Sequence, residues 1–425
     1  MASESISGAL TRRSFLQRSQ SMLAMAGVAP LLSSAEALAA PAAANGSVAV
    51  DYYEKLGVKK MINAAGTYTM YTAAVMPPQV IRAVEEAAKH PVHLHDLQLR
   101  AGEYLAQKLR CEGALVSCGA SSALTLATAA CITAANNCKI EDIPQNVGPM
   151  KNEVIVQKAH RYGYDHAIFL CGAKIVEVET LDDYKRAFND KTVMTNFFNA
   201  AGAGEIGHEQ WLEVAHQHNV PCHIDAAADM PPISNLWKYT GMGFDLVCFS
   251  GGKGIRGPQN AGLLLGKKKL IDLAHMNNNP YEGVARGMKV AKEQIVGMVA
   301  AIDWLLEQSD ESMEKEFTRR ANVISNIVKD VPTVKTTIFI PEVANHVPHL
   351  IITYDPNTLG ITPKEVQAKL RALDTPIELN PSTGSPQAGN GMPACANALV
   401  VGTWMLQPGE AETVGRQIRA TLKKA

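Results

Sequence analysis

The sequence has no CxxC pair, almost no net charge and no apolar run long enough to cross a bilayer, and each of these absences removes a class of protein. Its eight cysteines stand at least seven positions apart, which excludes zinc ribbons and thioredoxin-like redox pairs by spacing, and no metal site is expected. Cys222 and Cys248 fall inside apolar strand-like runs, where a thiol behaves as a small hydrophobe. Lys and Arg total 40 against 41 Asp and Glu, a formal net charge of -1, so the chain offers no electrostatic footprint for nucleic acid or an anionic membrane. No segment reaches the ~20 apolar residues that a hydrocarbon layer of about 30 Å demands, so no stable membrane anchor is expected. With 47% hydrophobic and 19% charged residues the chain reads as globular, and a small molecule is the expected partner.

The first residues have the order of an export signal. The pair Arg12 and Arg13 precedes Phe15 and Leu16 in "TRRSFLQ", the apolar stretch "SMLAMAGVAPLL" follows, and small-residue sites at Ala37–Ala39 and Ala42–Ala44 come last. Residues 1–45 therefore read as a twin-arginine signal, removed on transport to the periplasm, a route that resembles export of folded, cofactor-loaded proteins. Beyond it, residues 46–75 read as an N-terminal segment, 76–310 as a large domain and 311–425 as a small C-terminal domain.

In the large domain, runs apolar throughout ("NEVIVQKA", "AKIVEVE", "TVMTNFF", "VPCHIDA", "DLVCFS", "AGLLLG") alternate with helical patterns such as "HEQWLEVAHQH". That alternation implies an α/β fold with a mostly parallel sheet covered by helices on both faces. A helical pattern over Gly287–Gln308 leads into "PHLIITYD", "TPKEVQAKLRAL", "TPIEL", "NALVVGTWML" and "EAETVGRQIRATL", a small α+β unit, and glycine and proline between Asn380 and Pro393 mark a loop that borders a site.

Two charged residues end buried-strand patterns. Asp225 closes "VPCHID" and Lys253 follows "FDLVCFS" in "SGGKG". Ligands of open α/β sheets bind at the carboxyl ends of strands, and an acid opposite a ring nitrogen with a lysine that condenses with an aldehyde is the requirement of pyridoxal 5'-phosphate. Strand alternation puts His223, Asp225 and Ala227 on one face, with Ala227 small enough to lie under a flat ring and His223 set to orient the acid. Glycines beside Lys253 let the loop pass close to a cofactor, and Ser250 can donate to a phosphate oxygen. The phosphate cradle is expected at Gly119, Ala120, Ser121 and Ser122, where a strand turns into a helix whose free amides suit an anion. It is not a P-loop, because Gly254 stands where Ser or Thr would be.

The stretches "INAAGT", "VSCGASSALTLATAA", "HIDAAAD", "FSGGKGIRGPQNAGLLLG" and "ARGMKVAKEQIVGMVAAI" resemble the fold-type-I, aspartate aminotransferase-like family that contains selenocysteine synthase and glucosaminate-6-phosphate ammonia-lyase. The resemblance runs from about Tyr52 to the C-terminus. It implies Lys253 as the Schiff-base lysine, Asp225 as partner of the ring nitrogen, Gly119 to Ser122 as part of the phosphate site, and a homo-oligomer whose active site is shared between two subunits. His160 is a candidate to cover the ring face opposite Ala227, with Arg161 and Tyr162 beside it.

One departure concerns substrate. No arginine lies between Arg371 and Arg416, so the small-domain arginine that commonly grips a substrate carboxylate in such enzymes is missing, and Arg256, Arg286, Lys289 or Lys292 must serve instead. The expected function is an exported pyridoxal phosphate lyase that releases ammonia and a keto acid from an amino acid or amino sugar acid by α,β-elimination. A racemase, aldolase, transaminase or selenium transferase, and a non-catalytic protein that retains the cofactor, are the alternatives. Changing Arg12 and Arg13 to lysine is expected to leave the protein uncleaved inside the cell, as cell fractionation and the mass of the product would report.

Overall fold

The apolar runs become strands of one sheet, buried on both faces except at the edge strand Lys174–Val178. The structure is a computed structural model that describes residues 50–423 apart from 203 and 390, so the signal read at 1–45 lies outside the described residues. Seven strands form the central sheet: β2 (Gly113–Ser117), β3 (Glu153–Gln157), β4 (Lys174–Val178), β5 (Thr192–Phe198), β6 (Cys222–Asp225), β7 (Leu246–Ser250) and β8 (Gly262–Gly266). Their order is β2-β8-β7-β6-β5-β3-β4, with β8 antiparallel to both neighbours and the other pairings parallel. Side chains alternate between two cores. Leu263, Leu265, Val247 and Phe249 join the cluster under helices Pro78–Ala88, Leu94–Lys108 and Lys292–Leu306. Leu264, Leu246 and Cys248 join the other, with helices Ala120–Asn136 and Lys268–Asn277. Each fully buried leucine of this kind contributes roughly 2 kcal/mol.

Asp245 braces the amino-terminal edge of the sheet by accepting from His216 Nε2 at 2.9 Å and from the Cys222 amide at 2.8 Å. Burial raises the Cys222 thiol to about 12 and pushes Cys248 well above its ordinary value, and all eight cysteines are free thiols.

A second sheet, antiparallel in the order β12-β10-β9, joins β9 (Lys335–Phe339), β10 (His349–Thr353) and β12 (Ala398–Gly402). The long helices Asp310–Val328 and Glu410–Lys423 pack on it through Ala321, Ile324, Val414 and Ile418. β9 is absent from the sequence reading because it is an edge strand whose "KTTIF" has no fully buried residue. β1 (Ile62–Ala64) pairs in parallel with β11 (Ile377–Leu379), which ties the N-terminal segment to the C-terminal part of the chain. Among the described residues no helix is long and apolar enough to cross a membrane.

The glycines of "SGGKG" have a different role from the one read in the sequence. A Cβ on Gly251 would lie 2.7 Å from the Ala261 carbonyl oxygen, on Gly252 2.5 Å from Gln259 Cα, and on Gly254 2.2 Å from the Met230 carbonyl oxygen. They let residues 251–261 fold against their own backbone and against Met230. Gly254→Ala is expected to cost about 1–3 kcal/mol, since the obstacle is main chain that cannot swing aside, and a lower denaturant midpoint with an unchanged slope is the measurement that checks it.

Candidate active site

Because β5, β6 and β7 run parallel, their carboxyl ends open onto one edge, and the small sheet closes over it. The cavity between them has a volume of about 270 Å³. From the central sheet it is walled by Phe198, Asp225, Ala227 and Lys253, and from the other side by residues 65–69, His349, Asn380 and Trp404. The two charged strand ends singled out in the sequence therefore face a single space.

Asp225, only 6% exposed, is held at both oxygens. The Ala227 amide donates to Oδ1 at 2.9 Å, and the Tyr162 hydroxyl donates to Oδ2 at 2.5 Å. β6 ends at Asp225, so Ala227 reaches the cavity through a turn and not by strand alternation. Burial, with the charge of Asp225 beside it, raises Tyr162 above the usual phenol range, which keeps it a donor. Its ring stacks on Phe198 with centroids 4.0 Å apart and planes at 20°. The Lys253 amine is lowered from its ordinary value by burial, while Asp225 and Asp229 pull it back up.

The opposite wall is set by amides. Asn63 Oδ1 accepts from the backbone N–H groups of Ala65 and Gly66 at 3.1 and 3.0 Å, while its Nδ2 donates to the carbonyls of Gly66 and Ala73, both at 3.0 Å. Asn380 Nδ2 donates to the Ala65 carbonyl at 3.1 Å and to the Tyr68 hydroxyl at 3.2 Å.

The remaining candidates divide. Gly119 takes φ +88 and precedes helix Ala120–Asn136 without a side-chain cap, and Ser122 Oγ is buried with no partner. Neither lines the cavity, but both lie on its edge of the sheet: Ser117 is opposite Gly262 and Gly262 opposite Ser250, and a Cβ on Gly262 would come within 2.5 Å of the Gly119 carbonyl carbon. A helix start with free amides and an orphaned hydroxyl fits a phosphate. With Asp225 and Lys253 in the cavity, the donor set fits pyridoxal phosphate.

His160 is corrected. It is fully buried, its Nδ1 accepts from the Phe198 amide at 3.3 Å and its Nε2 meets the Gly202 carbonyl at 3.0 Å, so its ring is committed to the fold and Tyr162 takes the cavity wall. Arg161 is paired with Asp165 and Glu177. His223 Nδ1 bonds Asn196 Oδ1 at 2.7 Å and its buried Nε2 has no partner; burial lowers it to about 4, with the charge of Asp225 opposing.

The cation cluster is also corrected. The helix starts at Lys292, not Gly287, so the three-residue spacing from Arg286 to Lys289 to Lys292 has no common helical face. Lys292 Nζ donates to the Ala87 carbonyl at 2.7 Å and pairs with Glu293, Arg286 reaches Asn279 Oδ1 at 2.9 Å, and Lys289 is exposed; none lines the cavity. Arg256 lies in a neighbouring cavity of about 260 Å³ that shares the Trp404 wall, with its Nε donating to the Val75 carbonyl at 2.9 Å. Asn380 begins the Gly/Pro loop flagged in the sequence; Tyr68, His349 and Trp404 carried no signal there.

The strand order with its one antiparallel member, together with the acid and amine in one cavity, defines a fold-type-I pyridoxal phosphate enzyme. The chain belongs to the family described as SelA: L-seryl-tRNA selenium transferase, whose model matches residues 62–321. It is 27% identical to D-glucosaminate-6-phosphate ammonia lyase of Salmonella typhimurium over 76% of this chain and 88% of that one. It is 25% identical to 5'-C-glycyluridine monooxygenase-decarboxylase of a Streptomyces species over 75% and 82%. Among solved structures it is similar to D-glucosaminate-6-phosphate ammonia-lyase, with a TM-score of 0.74 at 24% identity, covering 89% of this chain and 99% of that one. A structure of SPT with PLP matches at a TM-score of 0.53 and 13% identity over 85% and 87%.

Tyr162→Phe removes the donor to Asp225 Oδ2 and is expected to weaken cofactor binding about tenfold, in line with the ~1.5–3 kcal/mol of a hydrogen bond to a charged group; equilibrium dialysis of the cofactor measures it.

Proposed function

We propose that the chain is an exported lyase that releases ammonia and a keto acid from an unphosphorylated amino acid or amino sugar acid. The observation that carries this reading is that Lys253 and Asp225 line the same cavity, with Asp225 held by Tyr162 and Ala227. Bound pyridoxal phosphate supplies an electron sink that makes a Cα proton removable. Lys253 is the group to hold it, Asp225 the acid for its ring nitrogen, and Gly119 to Ser122, with Ser250, the phosphate cradle.

The chain's own residues do the rest. Burial makes the Lys253 amine less basic than a free lysine, while Asp225 and Asp229 oppose that loss and leave it a base for the Cα proton. A leaving group on Cβ departs with its electron pair, the enamine that results takes a proton at Cβ to become an imine, and water converts that imine to a keto acid and ammonia. Ala227 is small enough to lie against a flat ring, and Tyr162 and Asn380 border the space left for substrate.

Export favours an unphosphorylated substrate, since phosphorylated metabolites are mainly cytosolic. The ammonia lyase relative supports elimination chemistry. Arg256, one thin wall away, is the candidate for a substrate carboxylate. The working unit is taken as a homodimer or larger, the arrangement that the family resemblance implies. The Streptomyces relative favours loss of carbon dioxide as a second reading.

The test is a panel of D- and L-amino acids and amino sugar acids assayed for keto acid, ammonia and carbon dioxide. Purified protein is expected to show a visible absorption band, and borohydride to fix the cofactor on Lys253. Asp225→Ala should lower turnover by about 10²–10³-fold, the scale of a lost electrostatic contact at the reacting centre. Normal turnover in that variant, or borohydride product on another lysine, overturns the assignment; carbon dioxide without keto acid selects the second reading.

A further inference from the structure

A second acid lies beside the lysine. Asp229 is 2% exposed, and its Oδ2 accepts from Asn199 Nδ2 at 2.6 Å and from the Tyr239 hydroxyl at 3.0 Å. Asn199 Nδ2 also donates to the Tyr239 oxygen at 2.9 Å, and Asn199 Oδ1 meets His208 Nε2 at 2.8 Å. The acid's main chain is fixed as well, because its carbonyl accepts from Asn235 Nδ2 at 2.7 Å. Its other oxygen, Oδ1, is buried with no partner. A buried carboxyl oxygen without a donor is costly in a purely structural role.

The loop that carries Lys253 is packed directly on this acid's neighbour. Gly254 comes so close to Met230 that an added Cβ would lie 2.2 Å from its carbonyl oxygen, so the residue after the lysine is packed on the residue after the acid. A small cavity of about 160 Å³, lined by Asp229, His208, Lys238, Glu342 and His346, shares Ala344 with the cavity that holds Lys253.

We infer that Asp229 is the positioning acid for Lys253: it lies behind the loop that carries the lysine and keeps one carboxyl oxygen uncommitted. The inference rests on the assignment of Lys253 as the cofactor lysine. When a substrate amine takes the lysine's place, the freed amine accepts the Cα proton and becomes an ammonium in a buried site, where an unpaired charge is expensive. Asp225 is committed to Tyr162 and Ala227, whereas Asp229 has an oxygen to spare.

The electrostatics agree in sign. Asp229 and Asp225 both favour the charged form of Lys253 against burial. Burial raises Asp229 to about 6, with the hydrogen bonds from Asn199 and Tyr239 opposing, Asp225 adding to the rise and Lys253 opposing it. Above about pH 6 the acid is therefore charged and supports the ammonium; below it that support is lost. The other charged groups around it are His208, lowered by burial, and Lys238, Glu342 and His346 along the small cavity.

The experiment compares wild type with Asp229→Asn in the full, cofactor-loaded chain, following the visible absorption band through a pH titration. Removing the anion is expected to lower the titration midpoint by about one unit, the smaller end of what a neighbouring opposite charge does. In cofactor-stripped full chain, competitive acetylation of Lys253 across pH, read by peptide mass spectrometry, should shift the same way. Tyr239→Phe, which strips one donor from the acid, should give a smaller shift of the same sign and decides the matter if Asp229→Asn does not fold. Unchanged midpoints in both readouts overturn the role of Asp229. Borohydride product on a residue other than Lys253 overturns the lysine assignment instead, and the acetylation titration still reports on the pair.

Discussion

The structure depends on keeping a carboxyl group at the end of a central strand, almost out of water. Burying such a group costs several kcal/mol unless donors meet it. Tyr162 and Ala227 meet Asp225, and both reach it through turns that follow parallel strands, Tyr162 after β3 and Ala227 after β6. The sheet order follows from the same need. β6 lies between β5 and β7, so Phe198, Asp225 and the lysine loop emerge side by side. Move the acid one residue along and its side chain would turn to the other face of the sheet.

Much of this was legible because strand-end charges violate a strong pattern. Asp225 and Lys253 stand out against largely apolar runs, and all six such runs of the large domain are strands of the central sheet. The sequence departs from legibility where the backbone is aperiodic. His160 and Tyr162 are two residues apart in a short 3-10 turn region, and nothing in their order says which one faces the ligand. The lysine and arginine cluster failed for a related reason: residues 286–291 look helical by composition, yet the helix begins at Lys292. Glycines near Lys253 carried a true signal with a mistaken cause, since their tight approach is to Met230, Gln259 and Ala261.

The wall opposite the acid could not be read locally at all. Asn63 shapes the turn at Ala65 and Gly66, and Asn380 clips it from a loop of the small sheet. Asparagine at a turn is unremarkable in sequence, and only pairing of β1 with β11 brings these two together. The same holds for Asp229, visible as the last acid of "HIDAAAD" but given meaning by its bare oxygen and by the contact between Gly254 and Met230.

The pairing of β1 with β11 also sets an order of events during biosynthesis. Ala65 and Asn380 are separated by 315 positions, so β1 must wait for β11, synthesised much later, before its edge is satisfied. Closing so long a loop is slow and its entropic penalty is met late. A chain cut short before β11 would have the acid and the amine but would lack Asn380 and Trp404 from the far side of its pocket. Retention of a vitamin-derived group thereby depends on two stretches of chain made at widely separated times.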